Sequence, residues 1–165
     1  MASGFTAIAI ADISTNTSSV TMTVPEGTSG NLMVHYKLAT SAQTHIGLRF
    51  NGDTGSNYAF TTNVNWTGSG GSYYTNSATY LLIHEPENST SYSSTGCIYI
   101  PDSQTANKCV SIVHDGGGAS NRWTQGSGTW FNTASRVTSI TFFGVTSARY
   151  MVDGSSLALY AMGDA

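Results

Sequence analysis

Apolar and polar residues alternate along most of this chain, and Gly, Asn, Ser and Asp interrupt the alternation at short intervals. Val20, Met22 and Val24, for example, are separated by threonines. Because successive side chains of a β-strand point to opposite faces of a sheet, this period of two predicts strands with one buried face. No segment carries a convincing amphipathic-helix pattern. We therefore expect an all-β protein, an antiparallel β-sandwich or jelly roll of about ten strands.

A single domain is expected over residues 1–165, because neither a linker nor a repeat of fixed period divides the chain. The first segment, FTAIAIADI, is rich in alanine, but the alternation of Ile8 and Ile10 favours a strand over a helix. Residues 43–64 have turn residues near their middle and are predicted to form a hairpin. The predicted core comprises Val20, Met22, Val34, Ile46, Leu48, Ile98, Ile112, Ile140, Leu157 and Leu159.

Charged residues make up only 9% of the chain, and the net charge is -3. An ordinary globular domain has about 25% charged residues, so this surface must consist mainly of Ser, Thr, Asn and Gly. Binding to nucleic acid requires clustered Lys and Arg, and their absence argues against such a partner. The sequence has no run of about 18 apolar residues and no basic N-terminal region, which predicts a soluble protein without an export signal or a membrane partner.

No recognisable catalytic motif occurs in the sequence: GxSxG, HExxH and phosphate-binding loop patterns are all absent. A glycosidase needs two carboxyl groups facing each other across a cleft, and the spacing of the glutamates suggests no such pair. His35 and His45 fall on the polar side of predicted strands, where contact with solvent or with an interface is expected rather than a ligand role. We therefore predict a non-enzymatic protein without a cofactor.

Two groups of residues leave an alternative open. Asn51, Asp53 and Asn57 lie in one segment and offer the oxygen ligands that Ca²⁺ prefers, although they are equally typical of turns. Turn roles are favoured, and no metal is predicted. Cys97 and Cys109 lie in predicted strands on either side of a turn, where a cross-strand disulfide is conceivable. Two reduced cysteines acting as small buried hydrophobic residues are the favoured interpretation.

Aromatic residues cluster near two glycine-rich segments, TGSGGS and HDGGGASN, which are predicted to be surface loops. Trp66, Tyr73 and Tyr74 flank the first segment, and Trp123 follows the second. Exposed aromatic residues suit sugar stacking or a protein interface. Any one of them could instead fill the β core.

The stretch HIGLRFNGDTGSNYAF at 45–60 resembles a segment of tailed-phage virion proteins, in which LRFNGDTGSNY follows one strand and leads into the next. The C-terminal part, 130–162, is similar as well: a Trp, then VTSITFF, then YMVDGSSLALYAM resemble that family's strand, Gly-Ser turn and final Leu-Tyr strand. The family's usual Phe-Ala-Ala-Gly-Ser turn is replaced here by MVDGS at 151–155.

This resemblance implies a jelly-roll structural protein of the virion, made in the host cytoplasm, that decorates the head or sits in the tail. A head-decoration (cement) protein binds the major capsid protein, and many are homotrimers. A trimer suits a three-fold position, because symmetry multiplies a modest contact. The N-terminal segment ranks first as a contact region, ahead of the loops at 67–74 and 114–123, because a terminal strand with an exposed apolar face can pair with a neighbour. An ordinary first strand of the sandwich is an equally open interpretation of this segment. The candidate contact residues are Phe5, Ile8, Trp66, Tyr73, Tyr74 and Trp123.

Two other functions remain to be weighed against capsid decoration. A carbohydrate-binding module on a tail or tail fibre would stack Trp66, Tyr73, Tyr74 or Trp123 on the sugar rings of host glycans. A hydrolase acting on polysaccharide is disfavoured, because the sequence suggests no carboxylate pair.

Overall fold

The computed structural model describes residues 4–28, 30–42, 44–66, 69–84, 93–103, 108–115, 123–132, 135–146 and 149–163. Within them the chain forms twelve β-strands and no helix, in agreement with the alternating pattern. The strands are β1 (Phe5–Ile13), β2 (Ser19–Thr23), β3 (Asn31–Leu38), β4 (Ile46–Phe50), β5 (Tyr58–Trp66), β6 (Ser69–Ala78), β7 (Leu81–His84), β8 (Ser94–Ile100), β9 (Lys108–Asp115), β10 (Trp123–Trp130), β11 (Ser139–Gly144) and β12 (Ser155–Met162).

The strands form two antiparallel sheets that pack as a β-sandwich. The large sheet has eight strands in the order β1-β12-β3-β8-β9-β10-β5-β6, and the small sheet has four in the order β2-β11-β4-β7. Four of the pairs are β1 with β12, β2 with β11, β3 with β8, and β4 with β7. These pairs are the ones that result when one long antiparallel double strand folds over into two sheets. The remaining strands extend the large sheet beyond β8.

The core lies between the two sheets and contains most of the residues predicted for it. Val20 differs, because it is only half-buried and packs against the rim of the core from an edge strand of the small sheet. The side chain of Ile112 lies outside the described part of the protein. The predicted core residues that are buried are Met22, Val34, Ile46, Leu48, Ile98, Ile140, Leu157 and Leu159.

The prediction of a hairpin over residues 43–64 is wrong. β4 belongs to the small sheet and β5 to the large sheet, so the segment NGDTGSN between them crosses from one sheet to the other. Asn51 and Gly52 do form a turn, with φ values of 53° and 67°. β5 cannot pair with β4, because both edges of β4 are already occupied by β11 and β7.

The first glycine-rich segment, TGSGGS, is mostly strand rather than the predicted loop. β6 begins at Ser69, and Ser69 pairs with Trp66 of β5, so the last four residues of the segment belong to a strand. In the second segment, His114 and Asp115 belong to β9. Residues 116–121 of that segment lie outside the described part.

Cys97 is a free thiol. Its strand, β8, pairs with β9 as a cross-strand disulfide would require, but the register places Cys97 opposite Val113. Cys109 lies further along β9, opposite Thr129 of β10. Cys97 is half-buried, and this burial raises the pKa of its thiol.

Candidate functional site

Asp53 organises the segment that crosses between the sheets. Its Oδ1 accepts a hydrogen bond from the Gly55 backbone N–H at 2.8 Å. Its Oδ2 accepts from Asn57 Nδ2 at 2.9 Å and from the indole Nε1 of Trp130 at 2.7 Å. Burial acts to raise the pKa of the Asp53 carboxyl, but these hydrogen bonds and nearby Arg49 outweigh it and hold the pKa below its usual value. The ionised carboxylate therefore ties the turn to the buried indole of β10.

Asn51 anchors the same segment to β11. Its Oδ1 accepts hydrogen bonds from the backbone N–H of Thr138 at 2.7 Å and of Ser139 at 3.1 Å. Asn57 donates its amide to Asp53, so the three residues considered as calcium ligands turn their polar atoms toward protein partners. Among the described residues, no group of three or more His, Cys, Asp or Glu is placed to hold a metal ion. The LRFNGDTGSNY segment is therefore a structural connection, and its conspicuous polar residues are accounted for by hydrogen bonds.

The outer face of the large sheet, opposite the core, is a broad surface on which a partner could bind. The register of the sheet aligns one residue from every strand across this face, and no protein layer covers it within the described part. The described side chains of the row change from apolar at β1 to hydroxyl-bearing toward β6, and for Ser111 only the position in β9 is described. In order from β1, the row is Ala7, Tyr160, Met33, Tyr99, Ser111, Ser127, Thr61 and Tyr74.

The apolar end of this face, which we call the N-terminal patch, is formed by exposed or half-exposed side chains of β1 and its neighbours. Phe5 is 59% exposed and Ile10 is 67% exposed. The ring of Phe5 packs edge-on against Tyr160, with centroids 6.3 Å apart. β1 is also an edge strand of nine residues, and its only charged residue is Asp12. The members of the patch are Phe5, Ile10, Met33, Tyr99, Ala158 and Tyr160.

Ile8, a predicted contact residue, does not share a face with Ile10. The register between β1 and β12 shifts between Ala7 and Ala9, so one extra residue of β1 is accommodated at Ile8. Such a bulge reverses the side to which the following side chains point. Ile8 is therefore half-buried and packs against the core, whereas Ile10 lies on the outer face. Regular alternation would place both isoleucines on one side of β1, so the sequence does not distinguish the exposed Ile10 from the half-buried Ile8.

The opposite end of the outer face contains a shallow hollow of about 720 Å³ over β10, β5 and β6, which we call the distal hollow. Tyr74 stands at its rim and is 82% exposed. The register between β5 and β6 shifts between Tyr58 and Phe60, which leaves one extra residue of β6 between Thr75 and Ala78. The outward-facing residues of the hollow are Ala59, Thr61, Tyr74, Asn76, Ser127 and Thr129.

The other aromatic residues predicted as contacts occupy different places. Tyr73 is half-buried and meets the ring of His45 edge-on, with centroids 5.4 Å apart, so it links the large sheet to the small one. Trp123 is 43% exposed and is in register with Asn65 of β5, on the same face as the distal hollow. The side chain of Trp66 lies outside the described part. The predicted contact residues therefore do not form one site, because Phe5 lies at one end of the sheet and both Tyr74 and Trp123 lie toward the other end.

No protein-family model matches the chain, and no curated protein matches it significantly. Within the described residues there is no helix long and apolar enough to cross a membrane.

Proposed function

We propose that the protein is a non-enzymatic structural component of a phage virion, acting as a head-decoration (cement) protein that binds the major capsid protein as a homotrimer. The resemblance of LRFNGDTGSNY and of the C-terminal region to tailed-phage virion proteins supports this proposal. We also propose that the sandwich is a jelly roll. This topology is supported by the four strand pairs β1–β12, β2–β11, β3–β8 and β4–β7, which a jelly roll contains. The other four strands, β5, β6, β9 and β10, are then additions to its larger sheet.

The observation that carries the proposal is the N-terminal patch. Exposed apolar side chains are concentrated beside an edge strand in a protein whose charged residues are only 9% of the chain. An apolar area of this kind marks an interaction surface, and backbone groups of the edge strand β1 can add hydrogen bonds to it. A decoration protein binds many identical sites on a shell. A modest apolar contact from each subunit is therefore sufficient for stable attachment, because symmetry repeats it.

The polar connections of the sandwich support a scaffold role rather than a reactive one. The side chains of Asp53 and Asn51 accept hydrogen bonds from protein groups at the crossover between the sheets. Such internal bonds hold the two sheets in one arrangement, which a repeated surface lattice requires. The low charge of the chain further predicts that binding to heads depends only weakly on ionic strength.

Binding to heads that lack the protein tests the proposal. Purified protein is mixed with undecorated heads, and the bound fraction is measured by sedimentation at low and at high salt. We expect saturable binding that changes little with salt and that falls by roughly tenfold or more when Phe5 and Ile10 are replaced together by Ser. Phe131→Ser is the matched control, because Phe131 is exposed but lies outside the N-terminal patch. Unsaturable binding, or equal affinity of all variants, would contradict the proposal.

A further inference from the structure

We propose that the distal hollow binds a neutral glycan, a function separate from the contact made by the N-terminal patch. The hollow combines an exposed aromatic ring, a small apolar floor at Ala59 and a rim of amide and hydroxyl groups. Sugar rings have apolar C–H faces that stack on aromatic side chains and hydroxyl edges that hydrogen-bond to amides and hydroxyls. A saccharide therefore matches both halves of this lining.

The polar groups of the hollow are available for a ligand. The side chains of Thr61, Asn76 and Ser127 are exposed and make no hydrogen bond to other described residues. None of the residues that line the hollow is charged. An anionic ligand would find no cation there, and a cationic ligand would find no carboxylate, so the charge of the lining favours a neutral ligand.

A second aromatic residue extends the site along the sheet. Trp123 lies on the same face. It is in register with Asn65 of β5, whereas Tyr74 is in register with Thr61 of β5. Four residues along a strand and two strand spacings across the sheet put the two aromatic residues roughly 16 Å apart. The residues between them are uncharged and polar, and Ser72 already orients Asn63 through a hydrogen bond of 2.7 Å. This arrangement suits a short oligosaccharide chain rather than one sugar.

A protein partner fits the distal hollow less well than a glycan does. Protein interfaces rely on apolar anchors, and apart from Tyr74 the outward-facing side chains of this lining are a single alanine and the polar residues Thr61, Asn76, Ser127 and Thr129. The apolar side chains of the outer face are instead concentrated in the N-terminal patch. The two surfaces therefore differ in the chemistry of the partner that each would select.

The positions of the two surfaces allow both to be occupied at once. β1 and β6 are the two edges of the eight-stranded sheet, seven strand spacings or about 34 Å apart. A typical twist of about 20° between neighbouring strands turns the outer face by roughly 140° over that distance. A protein held to a surface through β1 would thus present the distal hollow in another direction.

The test uses the purified full-length chain and an array of neutral oligosaccharides built from glucose, galactose, mannose and N-acetylhexosamine units, together with sialylated and sulfated glycans. Affinities of hits are measured by titration calorimetry or by NMR. We expect at least one neutral glycan to bind, and Tyr74→Ala to weaken that binding by roughly tenfold or more. Tyr74→Phe should retain binding, because the stacking ring remains. Tyr150→Ala is the matched control, because Tyr150 is an exposed tyrosine outside the lining of the hollow.

A filled hollow provides a second test that does not depend on removing the tyrosine. Ala59→Leu places a larger side chain on the floor, at an outward-facing strand position where the fold should tolerate it. We expect this variant to lose glycan binding while keeping the wild-type melting temperature. Binding to no neutral glycan, binding only to anionic glycans, or equal losses in Tyr74→Ala and Tyr150→Ala would overturn the proposal. Because these variants leave the N-terminal patch intact, head binding can succeed or fail independently.

Discussion

Replacing Asp53 by Ala should destabilise the protein by about 2–3 kcal/mol. The carboxylate accepts hydrogen bonds from Gly55, Asn57 and Trp130, and Trp130 is fully buried. A hydrogen bond to a charged group contributes about 1.5–3 kcal/mol, and leaving a buried donor without its acceptor costs about 1–3 kcal/mol. We take a value near the middle of these ranges, because Asp53 itself is partly exposed. For a chain of this length the change corresponds to a fall in melting temperature of about 4–12 °C.

Urea denaturation of a double-mutant cycle measures how much of this loss passes through the indole. In a Trp130→Phe background the Asp53→Ala substitution should cost clearly less, because the strongest partner of the carboxylate is already gone. Asp153→Ala is the matched control, since Asp153 is an exposed aspartate in a turn. A loss below about 0.5 kcal/mol, within the range of ordinary surface substitutions, would refute the role assigned to Asp53. An unchanged loss in the Trp130→Phe background would refute the role of the indole.

The stability conferred by Asp53 should also depend on pH. The pKa of its carboxyl is lowered in the folded protein, so the contribution is complete above the unfolded-state pKa of about 3.9 and is lost as the pH falls through the lower folded-state value. The difference in unfolding free energy between wild type and Asp53→Ala should be constant from pH 6 to pH 5 and should shrink below about pH 4. A difference that grows on acidification would contradict this assignment.

Three further predictions follow from other contacts of the sandwich. Gly128→Ala should cost about 1–3 kcal/mol in urea denaturation, because an added Cβ would lie 2.5 Å from Leu81 Cδ2; an unchanged midpoint would mean that β7 does not pack this closely on β10. Tyr58→Phe should cost about 1–3 kcal/mol, because the buried hydroxyl accepts from the Phe50 N–H at 3.0 Å; a loss within experimental error would mean that this N–H finds another partner. Adding dithiothreitol should leave the melting temperature unchanged, since Cys97 is a free thiol, whereas a fall would reveal a disulfide.

Most of the sandwich is predictable from the sequence, because a strand with one buried face leaves a local record in the alternation of its side chains. The pairing of the strands leaves no such record. NGDTGSN contains the turn residues Asn51 and Gly52, but nothing local states that β5 must leave the small sheet. That outcome is decided by which edges β7 and β11 occupy, and these strands lie far away in the sequence.

The sequence predicts which kinds of residue form the N-terminal patch and the distal hollow, but it does not predict all of the individual residues. Phe5 and Tyr74 were identified because large aromatic residues near a terminus or a glycine-rich segment are commonly exposed. Ile8 and Ile10 look equivalent in the sequence, and only the bulge in β1 sends them to opposite faces. Asn76 follows Tyr74 by two residues, so alternation alone already places it on the same face. A bulge adds one residue to a strand, and nothing in the sequence of β1 marks its position. Alternation alone therefore misassigns the side chains beyond it.

The composition of intact particles tests the central proposal most directly. Virions of a phage that encodes this chain are purified, the copy number of the protein is measured by quantitative mass spectrometry, and its position is determined by cryo-electron microscopy. Decoration predicts on the order of hundreds of copies on the head, grouped as trimers at three-fold or quasi-three-fold positions. In the reconstruction the N-terminal patch should face the shell or a neighbouring subunit. Particles that lack the protein, or that carry only a handful of copies in the tail, would contradict the assignment.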